Sequence, residues 1–309
     1  MRLFCSFVAI AVALAGAALT TPAGATFSIV AADTDAGAIG SAGASCVPYE
    51  VIQILRVAPG RGLLVGQAYF DDDALAAGEQ MLAGGAEPAA VLAAVTDSSA
   101  HPLAPKMQYG IVDAEGRTAS STGPEANPYA SDATGSSGAV AFTVQGNLLT
   151  GPAVLEGMAS AAQDGCDLPE RLIRALEAAG TDGGGDARCT DGGISAASAY
   201  LLVQWQDGTE LRISLPDLRP EDPVAQLRAQ LAAWRAEHPC PSPEPAPDDA
   251  TGGGTDTGMS GGCAVQASRH ESNSVPALLA VMAVMAAIRA RPTLAAVSAR
   301  RAGPPPRVR

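Results

Sequence analysis

Residues 26–45 have the sequence TFSIVAADTDAGAIGSAGAS, and the architecture of the chain can be worked out from this segment. The β-branched and apolar residues 26–32 end at the cluster Asp-Thr-Asp-Ala-Gly, residues 33–37, and the alternating small residues 38–46 follow. Two such runs separated by turn-forming residues are typical of an antiparallel hairpin. We therefore predict two neighbouring strands, with Thr26 at the start of the first.

The segment before this hairpin has the three parts of a secretion signal. Arg2 is followed by an apolar, alanine-rich run over residues 3–19, and Ala23-Gly24-Ala25 forms a small-x-small cleavage site. The alternative, an anchor that stays attached, requires about 20 apolar residues and no cleavage site. We expect export to the cell surface, the outer envelope or the extracellular space, with cleavage after Ala25 and Thr26 as the new N-terminus.

Periodicity and turn residues predict the remaining elements of one domain over residues 26–238. The predicted strands are 62–70, 106–113, 117–122, 139–149 with a turn at 145–147, 195–206 and 209–215; the predicted helices start after 71–73 and cover 88–95, 152–163, 168–179 and 223–237. The three carboxylates at 71–73 are interpreted as helix-start residues rather than a metal site. The order of elements predicts an α+β fold with helices layered over antiparallel sheets.

The C-terminal end has the composition of a second targeting segment. A Pro/Gly-rich linker over 239–262 precedes a tail, 263–309, that contains Cys263, the apolar run 275–288 and an arginine cluster. Fourteen apolar residues are short for a transmembrane helix, which needs about 20. The order nevertheless resembles bacterial C-terminal sorting tails that contact the membrane and are cleaved near the cysteine during surface display. A disordered basic tail is the alternative.

The charge of the chain argues against nucleic acid as a partner. Residues 26–262 contain 31 acidic and 11 basic residues, a formal charge of −20, and Lys106 is the single lysine of the sequence. Phosphate binding requires clustered Lys and Arg.

Four cysteines remain once the two ends are set aside, namely Cys46, Cys166, Cys189 and Cys240. In an oxidising compartment they predict two disulfides, and we favour Cys166 with Cys189 because these two bracket one helix and its glycine-rich loop. Free buried thiols are the alternative. With no CxxC spacing and three histidines in all, the sequence predicts neither a metal site nor a cofactor.

Thr26 is the residue that the sequence indicates most clearly as a candidate for catalysis. Cleavage after Ala25 places an α-amine and a hydroxyl on the same residue. An α-amine titrates near pH 8, so at neutral pH it is able to take the hydroxyl proton, directly or through a water. An N-terminal threonine therefore contains its own nucleophile and base.

Several segments in order along residues 26–235 resemble the family known as domain of unknown function 1028. The matching segments are residues 26–31 (TFSIVA), 37–45, 66–69 (GQAY), 109–113 (YGIVD) with 116–117, 145–147 (QGN) and 185–189 (GDARC). That family is similar to N-terminal-nucleophile (Ntn) hydrolases, which implies a four-layer sandwich of helices, sheet, sheet and helices. Some relatives contain a peptidoglycan-binding module, which implies envelope substrates; no such module is visible here.

The resemblance implies hydrolysis of an amide, a C–N bond in a small molecule, a peptide or a peptidoglycan-like substrate, by Thr26. Gln67 and Asn147 are the candidates for oxyanion donation or orientation, with the satisfaction of strand ends as the alternative role. Asp186 and Arg188 are candidates for the rim of the site, with Asp186 alternatively bracing a glycine turn. Ser41 and Ser45 on the neighbouring strand complete the predicted substrate-binding residues.

One departure from the family pattern supports a second function. Proteasome-like Ntn enzymes place a lysine and an aspartate beside the nucleophile, whereas the second strand here, AIGSAGAS, contains no carboxylate, and Lys106 lies too far along the chain to correspond. A non-catalytic, surface-displayed binding domain on the same fold is therefore the alternative, since a fold does not determine a function.

Overall fold

A computed structural model describes residues 26–241 of the 309-residue chain. The strands in this part are β1 (Thr26–Asp33), β2 (Ala38–Ser45), β3 (Leu55–Ala58), β4 (Gly62–Gln67), β5 (Gln108–Asp113), β6 (Thr118–Thr122), β7 (Ser131–Ser137), β8 (Val140–Asn147), β9 (Ser198–Trp205) and β10 (Glu210–Leu215). The α-helices are α1 (Asp72–Ala83), α2 (Pro88–Val95), α3 (Ala153–Ala161), α4 (Leu168–Ala179) and α5 (Pro223–Trp234). The mixed α and β content agrees with the predicted α+β class.

The strands form two antiparallel sheets. One has six strands in the order β10-β9-β2-β1-β8-β7, and the other has four in the order β3-β4-β5-β6. The predicted hairpin of β1 and β2 is confirmed, and β8 pairs with β1 on its other side. Thr26 therefore lies on a central strand of the larger sheet, between two neighbours.

Alternation along β1 separates two hydrophobic layers. Phe27 and Ile29 pack with residues of α3, α4 and α5 on one face of the larger sheet. Val30 points to the other face, where it packs with Leu63 and Val65 of the smaller sheet. A third cluster lies between the smaller sheet and the helices α1 and α2. Because side chains alternate along a strand, Thr26 and Ser28 face the space between the sheets with Val30.

Helix ends follow the sequence signals closely. The side chain of Asp71 accepts a hydrogen bond from Ala74 N at the start of α1, and that of Asp222 accepts one from Val224 N at the start of α5. The capping interpretation of the acidic run is therefore confirmed, because these carboxylates satisfy amides that have no partner inside the helix.

The prediction of a turn at residues 145–147 is wrong. β8 continues through Asn147, and the chain turns only at Leu148, whose φ is 50°. Pairing with both β1 and β7 keeps Gln145, Gly146 and Asn147 extended, and this tertiary pairing overrides the local turn propensity of Gln-Gly-Asn.

The two disulfides join Cys46 to Cys189 and Cys166 to Cys240, so the favoured pairing of Cys166 with Cys189 is wrong. Ala197, just before β9, donates its N–H to Ser45 O, which draws the segment ahead of β9 towards Cys46. An ion pair between Asp167 and Arg235 joins the start of α4 to the end of α5, close to Cys166 and Cys240. Both pairs join cysteines that are distant in sequence, 143 and 74 residues apart, and close in the fold.

The signal peptide, the linker beyond residue 241 and the C-terminal tail lie outside the described residues. Among residues 26–241, none of the helices has the length and apolar character that crossing a bilayer requires.

Candidate functional site

Thr26 forms a polar row across the larger sheet with one residue from each neighbouring strand. Its register partners are Ser45 on β2 and Asn147 on β8. Directly opposed residues of antiparallel strands point to the same face, with Cβ atoms about 5 Å apart. The Thr26 hydroxyl donates a hydrogen bond to Ser45 Oγ over 3.2 Å, and all three side chains are buried.

A cavity of about 350 Å³ opens beside this row, and Thr26, Ser45 and Gln67 contribute to its wall. This size falls within the range of small-molecule sites. Three residues that sequence reasoning singled out therefore meet at one cavity. The site is built by the first residue of β1, the last residue of β2 and the last residue of β4.

A network of buried amides lies behind Thr26, between the two sheets. Gln67 Nε2 donates to Thr26 O over 3.1 Å and to Gln108 Oε1 over 3.1 Å, while Gln67 Oε1 accepts from Ser28 Oγ over 2.6 Å. Asn147 Nδ2 donates to the same Gln108 Oε1 over 3.0 Å. Gln108 thus joins the two predicted polar residues, Gln67 and Asn147, and holds both in place.

The pattern of hydrogen bonds separates the roles open to Gln67 and Asn147. Both Nε2 hydrogens of Gln67 are engaged by protein acceptors, so Gln67 is suited to orienting the backbone of Thr26. Asn147 uses one Nδ2 hydrogen on Gln108, and its buried Oδ1 has no hydrogen-bond partner among residues 26–241. Asn147 therefore has donor and acceptor capacity next to Thr26 that the described protein leaves unused.

Three residues of this network were not singled out from the sequence: Ser28, Gln108 and Gln145. Gln145 Nε2 donates to Ser28 Oγ over 2.7 Å and to Ser28 O over 3.2 Å. A Cβ atom at Gly110 would collide with Gln145 Oε1, so glycine at 110 leaves room for this amide. The available signal was period-two placement of polar residues on strands facing the other sheet, at 26 and 28 and at 145 and 147.

Ser41 lies away from the cavity, on the same strand as Ser45 but deeper between the sheets. Its hydroxyl donates to Ile29 O over 2.9 Å and lies 2.7 Å from the Tyr200 hydroxyl. Burial raises the pKa of Tyr200 well above its ordinary value, which keeps this hydroxyl neutral. The structure thus gives Ser41 a packing role and does not bring it to Thr26.

Asp186 is fully buried and acts as a brace. Its Oδ2 accepts from Cys46 N over 2.6 Å and from Arg188 Nη2 over 2.8 Å. The carboxylate thereby ties the residue after Ser45 to the loop that contains Cys189.

Arg188 lines a different cavity of about 210 Å³, together with Cys46, Cys189 and Arg219. The two residues predicted to shape the rim, Asp186 and Arg188, are therefore placed behind Ser45 and outside the residues that line the Thr26 cavity.

Comparison with known proteins agrees with this fold. Residues 26–227 match the family model of DUF1028, described as a family of unknown function, and the chain belongs to that family. It is similar to the crystal structure of protein SPO2555 from Silicibacter pomeroyi, also of DUF1028, at 24% identity and a TM-score of 0.56 over 68% of this chain and 89% of that chain. This likeness concerns the fold alone. No curated protein matches the chain.

Proposed function

We propose that the protein is exported, is cleaved between Ala25 and Thr26, and then acts as an Ntn-type amidohydrolase on an envelope or extracellular amide. The observation that carries the proposal is the position of Thr26. It is the first residue of a central strand, its side chain lines a ligand-sized cavity, and an amide with unused hydrogen-bond capacity lies in the next strand at the same level.

The chemistry uses atoms of Thr26 for both attack and proton transfer. The α-amine takes the hydroxyl proton as Oγ1 attacks the acyl carbon, and an oxyanion forms. Collapse breaks the C–N bond, the departing amine takes that proton, and an acyl ester remains on Oγ1. Water then attacks the ester while the α-amine accepts its proton; the acyl C–Oγ1 bond breaks, Oγ1 takes that proton back from the ammonium, and a carboxylic acid leaves with Thr26 restored.

The neighbouring residues have distinct tasks in this scheme. Gln67 holds the backbone carbonyl of Thr26 through a hydrogen bond from Nε2. We assign to Asn147, whose second Nδ2 hydrogen and Oδ1 have no partner among residues 26–241, donation to the oxyanion or acceptance from the α-amine, although it is not itself one of the lining residues. Ser45 Oγ contacts the nucleophile itself. In contrast to proteasome-like enzymes, no charged side chain of the described residues lines the cavity, and the proposal therefore assigns the role of base to the α-amine.

Two observations support export and the substrate class. Two disulfides are compatible with an oxidising, extracellular location. Peptides and peptidoglycan-like molecules are the amides available there, and the size of the cavity suits one acyl group or side chain of such a molecule.

The test compares four purified forms on a panel of acyl p-nitroanilides and p-nitrophenyl esters. One form starts at Thr26, one keeps Ala25 before it, and two start at residue 26 with Thr26→Ser or Thr26→Ala. We expect the form that starts at Thr26 and the Thr26→Ser form to turn over substrate, with kcat/KM rising as pH approaches about 8. Retention of Ala25 or Thr26→Ala should lower the rate by about 10² or more. Equal turnover with Ala25 retained contradicts the proposal.

The alternative is a surface-displayed binding domain without catalysis. It is favoured by the absence of lysine and carboxylate side chains from the described lining of the cavity, where proteasome-like enzymes place both. Ligand binding that is unaffected by Thr26→Ala, with no turnover by any of the four forms, would favour this function.

A further inference from the structure

We propose that the Thr26 cavity selects an uncharged acyl group with an aromatic or branched aliphatic side chain. This inference rests on the proposed function, because it assigns the cavity to the acyl side of the bond that Thr26 attacks. It names the substrate class that the amidohydrolase would accept.

The side chains that line the cavity are mostly apolar and include none that is charged. Apart from Thr26, Ser45, Gln53 and Gln67, the wall is apolar or aromatic; its other members are Val47, Tyr49, Val51, Ile54, Ala68, Tyr69 and Phe70. None of these side chains is charged at neutral pH. Side chains of this composition recover free energy from apolar groups and offer no ionic partner to a carboxylate or ammonium.

Two aromatic residues of the cavity wall are exposed to water. Among residues 26–241, Tyr49 and Phe70 are the exposed large hydrophobic residues, at 40% and 38%, and both line this cavity. Aromatic surface left open to water beside a concave site is typical of a ligand contact. A bound acyl side chain would cover these rings.

Two segments of the cavity wall, the 3-10 helix at 51–54 and the residues after β4, are held in place before any ligand binds. Val51 and Ile54 are buried in the short 3-10 helix Val51–Ile54. Ala68, which also lines the cavity, has a φ of 75°, a conformation that is unfavourable for alanine, and it connects β4 to Tyr69 and Phe70. Such strain in a residue that lines a cavity is typical of a preorganised binding site.

The distribution of charged side chains around the cavity disfavours an anionic acyl group. Lys106 Nζ lies 5.5 Å from the centroid of the Tyr69 ring and is not among the lining residues. An anionic acyl side chain would therefore lose hydration against lining side chains that include no cation, within a domain whose formal charge is strongly negative, while the α-amine of Thr26 is reserved in the proposed function for the reacting bond. An uncharged group avoids this cost.

The first experiment measures binding without chemistry. The probes are 3-phenylpropanamide, 4-methylpentanamide and the anion succinamate, titrated calorimetrically into the Thr26→Ala protein that starts at residue 26. We expect both uncharged amides to bind at least about tenfold more tightly than succinamate. Equal or tighter binding of succinamate, or no binding of the uncharged amides, overturns the inference.

The second experiment measures reaction at Thr26. Two β-lactones differ in the 3-substituent, benzyl in one and carboxyethyl in the other. Oγ1 attacks the lactone carbonyl, the ring C–O bond breaks, an ester forms on Thr26, and the Oγ1 proton ends on the released β-hydroxyl. We expect faster labelling by the benzyl lactone, measured by intact mass, at least about tenfold. Labelling by neither lactone contradicts the proposed function, whereas labelling without preference overturns only the assignment of the acyl group.

Variants of the two exposed aromatic residues, Tyr49 and Phe70, which we call the cavity mouth, test whether the preference for the benzyl lactone depends on this cavity. Tyr49→Ala and Phe70→Ala should each lower the ratio of the two labelling rates about three- to tenfold, whereas Tyr49→Phe should retain it. Leu92→Ala, a partly buried apolar truncation on α2, is the matched control and should leave the ratio unchanged. An unchanged ratio in both mouth variants overturns the inference. A dimer in sedimentation that Tyr49→Ala dissociates also overturns it, because the exposed rings would then contact a second copy of the chain.

Discussion

At the scale of single residues, the space between the sheets is apolar in one part and polar in another. Val30, Leu63 and Tyr200 fill one part with apolar contacts, whereas amides and hydroxyls fill the part below Thr26. Burying polar groups is costly unless each finds a partner, so a buried amide network requires nearly complete pairing. The hydrogen bonds that converge on Gln108 meet this requirement for Gln67 and leave Asn147 with spare capacity.

Removal of Gln108 should be costly, since its Nε2, which has two hydrogens, also lies within 3.0 Å of three acceptors, namely Thr122 Oγ1, Ser131 O and Gly146 O. We expect Gln108→Met, which keeps the volume and loses these bonds, to lower the free energy of unfolding by about 2 to 5 kcal/mol. Urea denaturation measures the change. Gln204→Met, at an exposed amide bonded to Glu210, is the control and should change stability by less than about 1 kcal/mol. A small loss at both positions would contradict the account of the network.

Two buried tyrosines provide a matched pair with opposite expectations. The Tyr109 hydroxyl is buried with no partner among residues 26–241, whereas the Tyr200 hydroxyl bonds to Ser41. Tyr109→Phe should therefore raise the free energy of unfolding by about 1 kcal/mol, and Tyr200→Phe should lower it by a similar amount. Thermal or urea unfolding of the two variants at pH 7 tests this, and a loss at Tyr109 equal to that at Tyr200 would show that the first hydroxyl has a partner.

At the scale of elements, local patterns predicted much of the fold. Helical spacing of Leu172, Ile173 and Leu176 gave the limits of α4, and the hairpin of β1 and β2 followed from apolar runs around a turn cluster. Strand β7, SDATGSS, was missed because it is polar and partly exposed, and only its pairing with β8 makes it a strand. Local sequence does not contain that pairing.

The candidate site was predicted unevenly for the same reason. Thr26, Ser45, Gln67 and Asn147, which the resemblance indicated, come together as terminal residues of strands. Gln108 was missed because its role depends on the contact between the two sheets, and the bond of Asp186 to Cys46 could not be predicted because the two residues are 140 positions apart.

The disulfides allow a test that separates stability from the site. In the loop-closure model, each closure, of 143 and 74 residues, stabilises the fold by about 4 to 5 kcal/mol. We expect both double Cys→Ser variants to be less stable in urea. Removal of Cys46–Cys189 should also lower the labelling rate at Thr26, because Cys46 follows Ser45 directly, whereas removal of Cys166–Cys240 should not. Equal effects of the two variants on labelling would contradict this difference.

At the scale of the whole molecule, pH dependence follows from the two buried phenols. Burial raises the pKa of both Tyr109 and Tyr200 above the ordinary value of 10. In the unfolded chain these groups lose their protons near pH 10, whereas the folded protein retains them to higher pH, so the stabilisation is complete below pH 10 and declines above it. Urea midpoints at about pH 9 and about pH 11 should show this decline, and Tyr200→Phe should reduce it. A midpoint that does not change between these pH values would contradict the sign.

The account as a whole depends on an unblocked α-amine at Thr26, and the N-terminal peptide of the exported protein tests this most directly. Mass spectrometry of the tryptic digest, after reduction and alkylation, should find an unmodified peptide of residues 26–56 that begins with Thr26. A peptide that begins at any other residue, or a Thr26 whose amine is acylated, would contradict the proposed nucleophile and base.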